Sequence, residues 1–183
     1  MKPQEKELIK WIKNCPEITE TIDACKVYGL KNYYLAGGAI TQLIWNNLSG
    51  KPNLAKVKDF DIVYFDENTN EKRHKKHLAK LLTHGIELDI VNQAYVHEWY
   101  HLKSGNRIGQ YKNTEEGMKT WLPAFAIGIR KSSKIEIYAP YGLEDAFSMK
   151  VKPNKRTMSK ANYSEMTQSF KKRWKEIEVI PWD

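Results

Sequence analysis

The chain has 183 residues, 41% of them hydrophobic and 11% aromatic, which excludes disorder as a description of the whole and leaves no room for two comfortable domains. The net charge of +8 is uneven: Lys and Arg exceed Asp and Glu by three over residues 1–60, balance them over 61–149, and exceed them by five over 150–183. Such a basic end suits either a polyanion such as RNA, DNA or a nucleotide phosphate, or plain solvation.

The opening stretch, MKPQEKELIKWIKNC, has no apolar run of signal-peptide length, and no run of about 18 apolar residues follows anywhere, so the expectation is a cytoplasmic protein without a membrane span. EKELIKWIKN and PEITETIDACKVYG carry apolar residues at helical spacing. Pro16 suits a first helical turn and Gly29 an end, so two packed helices are expected over residues 4–28. Cys15 and Cys25 form neither a CxxC nor a secreted disulfide pattern and read as reduced core thiols.

NYYLAGG reads as a short strand running into a glycine pair. AITQLIWNNLSG is then a helix with Ile40, Leu43, Ile44 and Leu48 on one side and Gly50 as its stop. After KPNLAKVK comes the strand DFDIVYFD, closed by the turn-rich ENTN; TNEKRHKKHLAKLLTHG reads as an amphipathic helix with a solvated polar face that includes His74 and His77. IELDIV is the next strand, and NQAYVHEWYH is read as helical. Asn113, with Glu116 three residues on, marks a further helix start. AFAIGIR and KIEIYAP alternate as a hairpin around KSS, and a basic helix is expected over about 157–177. With no repeat or low-complexity linker, residues 1–183 read as one α/β (α+β) domain. Its core spans about 30–154 in the form of a short mixed β-sheet flanked by helices.

Two aspartates stand out in this plan. Asp59 and Asp61 are two apart on a strand, so their side chains share a face roughly 6–7 Å from each other. At an effective dielectric near 20 their charges repel by roughly 2–3 kcal/mol. Water offsets that at a solvated edge; a hard cation such as Mg²⁺ or Mn²⁺ offsets it at a site. Upstream, Gly37 and Gly38 lie between a strand and a helix start, where backbone N–H groups can hold a phosphate. Downstream, Asp89 sits in a strand able to neighbour the first. A phosphate cradle, a carboxylate pair and a third carboxylate are together what two-metal phosphoryl or nucleotidyl transfer needs.

In this order the motifs YYLAGGAITQLIW, KDFDIVYFD and LDIVNQAYVHEWY resemble the DNA polymerase beta-like nucleotidyltransferase superfamily. Its signature is a small-residue glycine turn, a DxD strand and a third acidic strand residue. More narrowly, DFDIVYFD, NQAYVHEW, TWLPAFAIGIR and APYGLEDAF make the chain similar to a family of bacterial nucleotidyltransferase-like proteins over roughly residues 33–154. The resemblance implies a nucleotidyltransferase fold, with Asp59, Asp61 and Asp89 as catalytic and metal-binding residues for Mg²⁺ or Mn²⁺. It implies nucleotide contacts from Gly37, Gly38, Thr41, Asn92 and Arg130. Where the superfamily often has Ser after the glycines and the narrower family Arg, this chain has Ala39, Ile40 and Thr41, and Asp89 stands at a position that is often Glu. The expected activity is transfer of a nucleoside monophosphate from an NTP such as ATP to an acceptor, whether small molecule, RNA or protein. The alternative is a non-catalytic nucleotide- or RNA-binding module on the same fold. Gln93 beside Asn92 is a further candidate for orienting the nucleotide, and Lys58 reads better as a solvated lysine than as a triphosphate contact.

Residues 97–101, HEWYH, also match the HExxH pattern of zinc proteases. No histidine follows His101, so Glu136 or Glu144 would have to complete the zinc site, and the stretch coincides with the motif that carries the resemblance above.

Overall fold

The computed structural model describes residues 1–68 and 71–183. The turn expected over 67–70 and the first two residues of the helix expected from 69 lie in whole or part outside them.

Two helices open the chain, α1 (Pro3–Lys13) and α2 (Pro16–Tyr28). Each begins with a proline, whose missing N–H costs nothing in a first turn. Leu8 and Ile12 of α1 and Ile18, Ile22 and Cys25 of α2 recur at three- and four-residue spacing and are fully buried. Gly29 ends α2 at φ +76°, allowing Leu30 N–H to donate back to the Cys25 carbonyl at 3.0 Å. Both cysteines are free, and burial pushes the Cys15 thiol up to about 11 and the Cys25 thiol up to about 12.

Strand β1 (Tyr34–Ala36) leads through Gly37 into α3 (Gly38–Leu48). Strand β2 (Asp59–Tyr64), helix α4 (Glu71–Leu78) and strand β3 (Glu87–Asn92) follow. A 3₁₀ turn over Gln93–Tyr95 enters α5 (Val96–Ser104), and α6 (Thr114–Met118) starts at Asn113, whose Oδ1 accepts from Glu116 N–H at 2.8 Å. The hairpin of β4 (Gly128–Lys131) and β5 (Ile135–Tyr138) precedes α7 (Glu144–Phe147). The chain closes with β6 (Lys150–Val151), α8 (Lys160–Arg173) and β7 (Glu178–Val179). The parallel β6–β7 pair is too short to show in the sequence pattern. The basic helix is shorter than expected because Trp174 leaves helical dihedrals and turns into the core.

Five strands form a mixed sheet in the order β3-β2-β1-β4-β5. Only β2 and β3 run parallel, with α4 in the crossover that a parallel pair requires; the other pairs are antiparallel. Alternation along each strand gives the sheet two unlike faces. Leu35, Phe60, Ile62, Tyr64, Leu88, Ile90 and Ile129 join the main core with α1, α2 and α3. The opposite face carries a small apolar cluster of Tyr34, Ala36, Val63 and Met118 and, toward one end, the aspartates.

Two side chains correct the sequence reading. Leu48, expected on the buried side of α3, is 44% exposed at the last turn. His74, expected on the solvated face of α4, is buried: its Nδ1 lies 2.9 Å from the Tyr28 hydroxyl and its ring stands edge-on to Tyr28 and Tyr64. Lysine-rich neighbours at 72, 75 and 76 concealed a helix face that turns inward once per turn.

Candidate active site

The register of three strands assembles the acidic end of the open face. Asp61 is opposite Ala36 of β1 on one side and opposite Asp89 of β3 on the other, while Asp59 is opposite Glu87. In-register residues of neighbouring strands point the same way, and so do residues two apart, so Asp59, Asp61 and Asp89 share this face. Asp59 and Asp89 are exposed, and Asp61 is half-buried between them. Burial, followed by the charges of Asp59 and then Asp89, raises the Asp61 carboxyl to about 7; a hydrogen bond from Gly38 N–H acts in the opposite sense.

That N–H belongs to the turn between β1 and α3. Gly37 sits at φ +66°, ψ −127°, outside the region open to L residues without strain. A side chain there would also meet the Trp121 ring at 3.1 Å and Asp61 Oδ2 at 3.5 Å. The glycine pair thus lets the start of α3 approach the carboxylate, leaving backbone N–H groups and the positive end of the helix beside it.

Asp59 and Asp61 lie on the wall of a cleft of about 500 Å³. Its floor is the sheet face, with Val63 and Val91 beyond the aspartates. Helix α5 supplies Trp99, Tyr100 and Lys103, helix α8 supplies Met166, Phe170 and Arg173, and the segment after α6 contributes Trp121. Phe170 and Trp174 anchor α8 by packing around Trp45 of α3, with Phe125 stacked on Phe170 at 4.5 Å. Trp174 Nε1 donates to Asn46 Oδ1 at 3.0 Å, so even this polar pair is satisfied within the core.

Arg173 is the residue that sequence reasoning missed. It stacks over Trp174 at 4.8 Å, and its Nη1 donates to Gln42 Oε1 at 3.5 Å. Its charge is felt at Asp59, which counters the lowering of the guanidinium by burial. Its only sequence signal is membership of the basic run FKKRW, 112 residues beyond Asp61 in the chain.

The other expected residues divide cleanly. Gly37, Gly38, Asp59 and Asp61 line the cleft together with Lys58 and Gln93, and Asp89 adjoins Asp61 by register. Thr41 is fully buried, its hydroxyl donating to the Ala124 carbonyl at 2.7 Å. Asn92 points to the core face, where its Oδ1 accepts from Asp66 N–H at 3.1 Å and Ala94 N–H at 3.2 Å. Arg130 pairs with Glu136 at 2.7 Å and lies over the Tyr34 ring. None of these three is among the cleft-lining residues. Of the HExxH pattern, His97 and His101 are half-buried on α5, while Glu136 of β5 is held by Arg130 of β4 and Ser132 of the hairpin turn.

Among the described residues, no three His, Cys, Asp or Glu side chains converge tightly enough to form a ready-made metal cage. The acidic end nevertheless fits a hard divalent cation. Its donors are carboxylate oxygens, and burial together with the charges of Asp59 and Asp89 disfavours the ionised form of Asp61 that a cation would stabilise. Mg²⁺ in particular binds through one or two carboxylates and completes its shell with water and substrate phosphate.

An open carboxylate-bearing mixed sheet, with a glycine turn feeding a helix beside the acids, is a nucleotidyltransferase-type fold. The chain belongs to a nucleotidyltransferase family, whose model matches residues 23–179. Among solved structures, a solution NMR structure described as revealing a CCA-adding enzyme head domain superposes with a TM-score of 0.75. It is 23% identical, with 96% of this chain and 95% of that one covered. No curated protein matches significantly. The fold and family together give nucleotidyl transfer as the class of activity. No helix among the described residues is long and apolar enough to cross a membrane.

Proposed function

We propose that the protein is a divalent-metal-dependent nucleotidyltransferase that binds an NTP in the α5–α8 cleft and transfers its nucleoside monophosphate to an acceptor. The observation that carries this reading is Asp61: a half-buried carboxylate between Asp59 and Asp89, touched by Gly38 N–H, on the wall of a cleft large enough for a nucleotide. Asp59, Asp61 and Asp89 would hold Mg²⁺ or Mn²⁺. A bound cation would supply charge neutralisation at the reacting phosphate and a more acidic attacking hydroxyl.

The chain's own groups do the rest. The Gly37–Gly38 turn presents backbone N–H groups and the start of α3 to phosphate oxygens. Arg173 and Lys58 bring positive charge to the same end, so that the triphosphate meets donors as well as acids. The aromatic and aliphatic walls exclude water from the rest of the nucleotide. This reading treats residues 1–183 as one functional unit, with a small molecule, RNA or protein as acceptor. A non-catalytic nucleotide- or RNA-binding module is distinguished from it by turnover.

The test is thermal shift with the four NTPs, each with and without Mg²⁺ or Mn²⁺, on the wild type and on Asp59→Asn/Asp61→Asn. Stabilisation that requires the metal and vanishes in the double variant is expected; at a hundredfold excess of ligand over Kd it amounts to about 2.7 kcal/mol. Equal stabilisation of the double variant would refute the site.

A further inference from the structure

Resting on the nucleotide reading above, we propose that the cleft contains an adenine subsite in which the Gln93 carboxamide reads the edge of the base. The cleft changes character along the rows of β2 and β3 that form its floor. Asp59 and Asp61 are followed on the same face by Val63, and Asp89 is followed by Val91 and then Gln93. The rest of β3 and the step into the 3₁₀ turn separate Asp89 from Gln93 by roughly 13 Å along the chain. Carboxylates, apolar floor and carboxamide therefore succeed one another in the order of a nucleotide's phosphates, sugar and base. Trp99, Tyr100 and Trp121 flank the apolar stretch, and flat aromatic walls suit a stacked base.

Gln93 itself lacks a partner. It is only 3% exposed and lines the cleft, yet among the described residues no protein group exchanges a hydrogen bond with its side-chain amide. Neither amide atom is sealed from solvent, so the carboxamide is open to a group that enters the cleft. Its placement is held from behind, because Gly117 of α6 packs directly on the amide: a methyl group at Gly117 would fall 2.0 Å from Gln93 Oε1. Asn92, the residue before it, is locked to Asp66 and Ala94, which fixes the backbone from which Gln93 projects.

The chemistry of a carboxamide selects the base. It offers one N–H donor beside one C=O acceptor, and adenine returns the complement with N7 and the N6 amino group. Guanine presents two acceptors on the same edge, N7 and O6. Pyrimidines cover less of the aromatic wall.

The experiment measures the binding of Mg²⁺ complexes of ATP, GTP, CTP, UTP and inorganic triphosphate by calorimetry. It uses the wild type, Gln93→Met, and Gly117→Ala, whose added methyl displaces the amide without removing it; thermal melts in the absence of ligand confirm that each variant folds. The wild type should prefer ATP to GTP by roughly 10- to 100-fold, a preference that both variants lose while triphosphate binding is retained. Equal binding of all four NTPs, preference for another base, or an ATP preference that survives Gln93→Met would overturn the adenine subsite and leave the nucleotidyltransferase reading standing. Failure of every NTP and of triphosphate to bind with Mg²⁺ would overturn both.

Discussion

At the scale of single residues, Asp61 is the most unusual group in the protein, and its titration has a testable sign. The carboxyl titrates at about 7 in the folded protein against an ordinary value of 3.8. A raised carboxyl favours folding when protonated, so metal-free stability is complete below about pH 4 and declines as pH rises to about 7, beyond which the loss is constant. The decline is of order a few kcal/mol. Asp61→Asn should remove it, so that in EDTA the variant matches the wild type near pH 4 and melts higher at pH 8. A wild-type melting temperature that falls no more than the variant's between those pH values would contradict the strained carboxylate. The sequence announced this residue through spacing alone, because two aspartates at i and i+2 on an otherwise apolar strand must share a face. The same alternation separates the two amides after the third acid: Gln93 shares the parity of Asp89 and Val91 and reaches the cleft, whereas Asn92 shares that of Leu88 and Ile90 and turns to the core, so the nucleotide contact expected of Asn92 runs against the strand's own period.

At the scale of elements, the cleft depends on how α8 is docked. Trp174 is fully buried against Trp45, and its indole N–H satisfies Asn46. Asn46 in turn donates to the carbonyls of Asn53 and Ala55, in the loop that leads to β2 and its aspartates. Trp174→Ala should therefore cost about 3–5 kcal/mol in urea denaturation, through lost contacts and the cavity they leave. Where the variant remains folded, Mg²⁺-dependent NTP binding should weaken because Phe170 and Arg173 are no longer held on the cleft wall. Unchanged stability would mean that α8 is not part of the core. The helices themselves were legible from periodicity, prolines and Gly29. The places of Thr41 and Arg130 were not, since pairing with Ala124 and Glu136 depends on segments 83 and 6 residues away that only the folded sheet and its hairpin bring into register.

At the scale of the whole molecule, the two faces of one sheet do different work. Covering one face with α1, α2 and α3 supplies the main core, and that alternation was readable strand by strand. Leaving the acidic end of the other face open puts Asp59 and Asp61 on the wall of the cleft. The order β3-β2-β1-β4-β5 and the reach of the C-terminal segment back to the aspartates were not readable, because strand order and long-range docking leave no periodic trace in the chain. Of the basic C-terminal run FKKRW, Arg173 and Phe170 line the cleft.

The most direct test of the three-carboxylate site is the affinity of Mn²⁺, followed by electron paramagnetic resonance of the free ion, with and without a non-hydrolysable NTP analogue. The wild type is predicted to bind Mn²⁺ more tightly when the analogue is present, because substrate phosphates complete the cation's oxygen shell. Asp59→Asn/Asp61→Asn should lose both the binding and the coupling. Mn²⁺ affinity that is identical in the two proteins, with no response to the analogue in either, would contradict a metal site built on Asp59, Asp61 and Asp89.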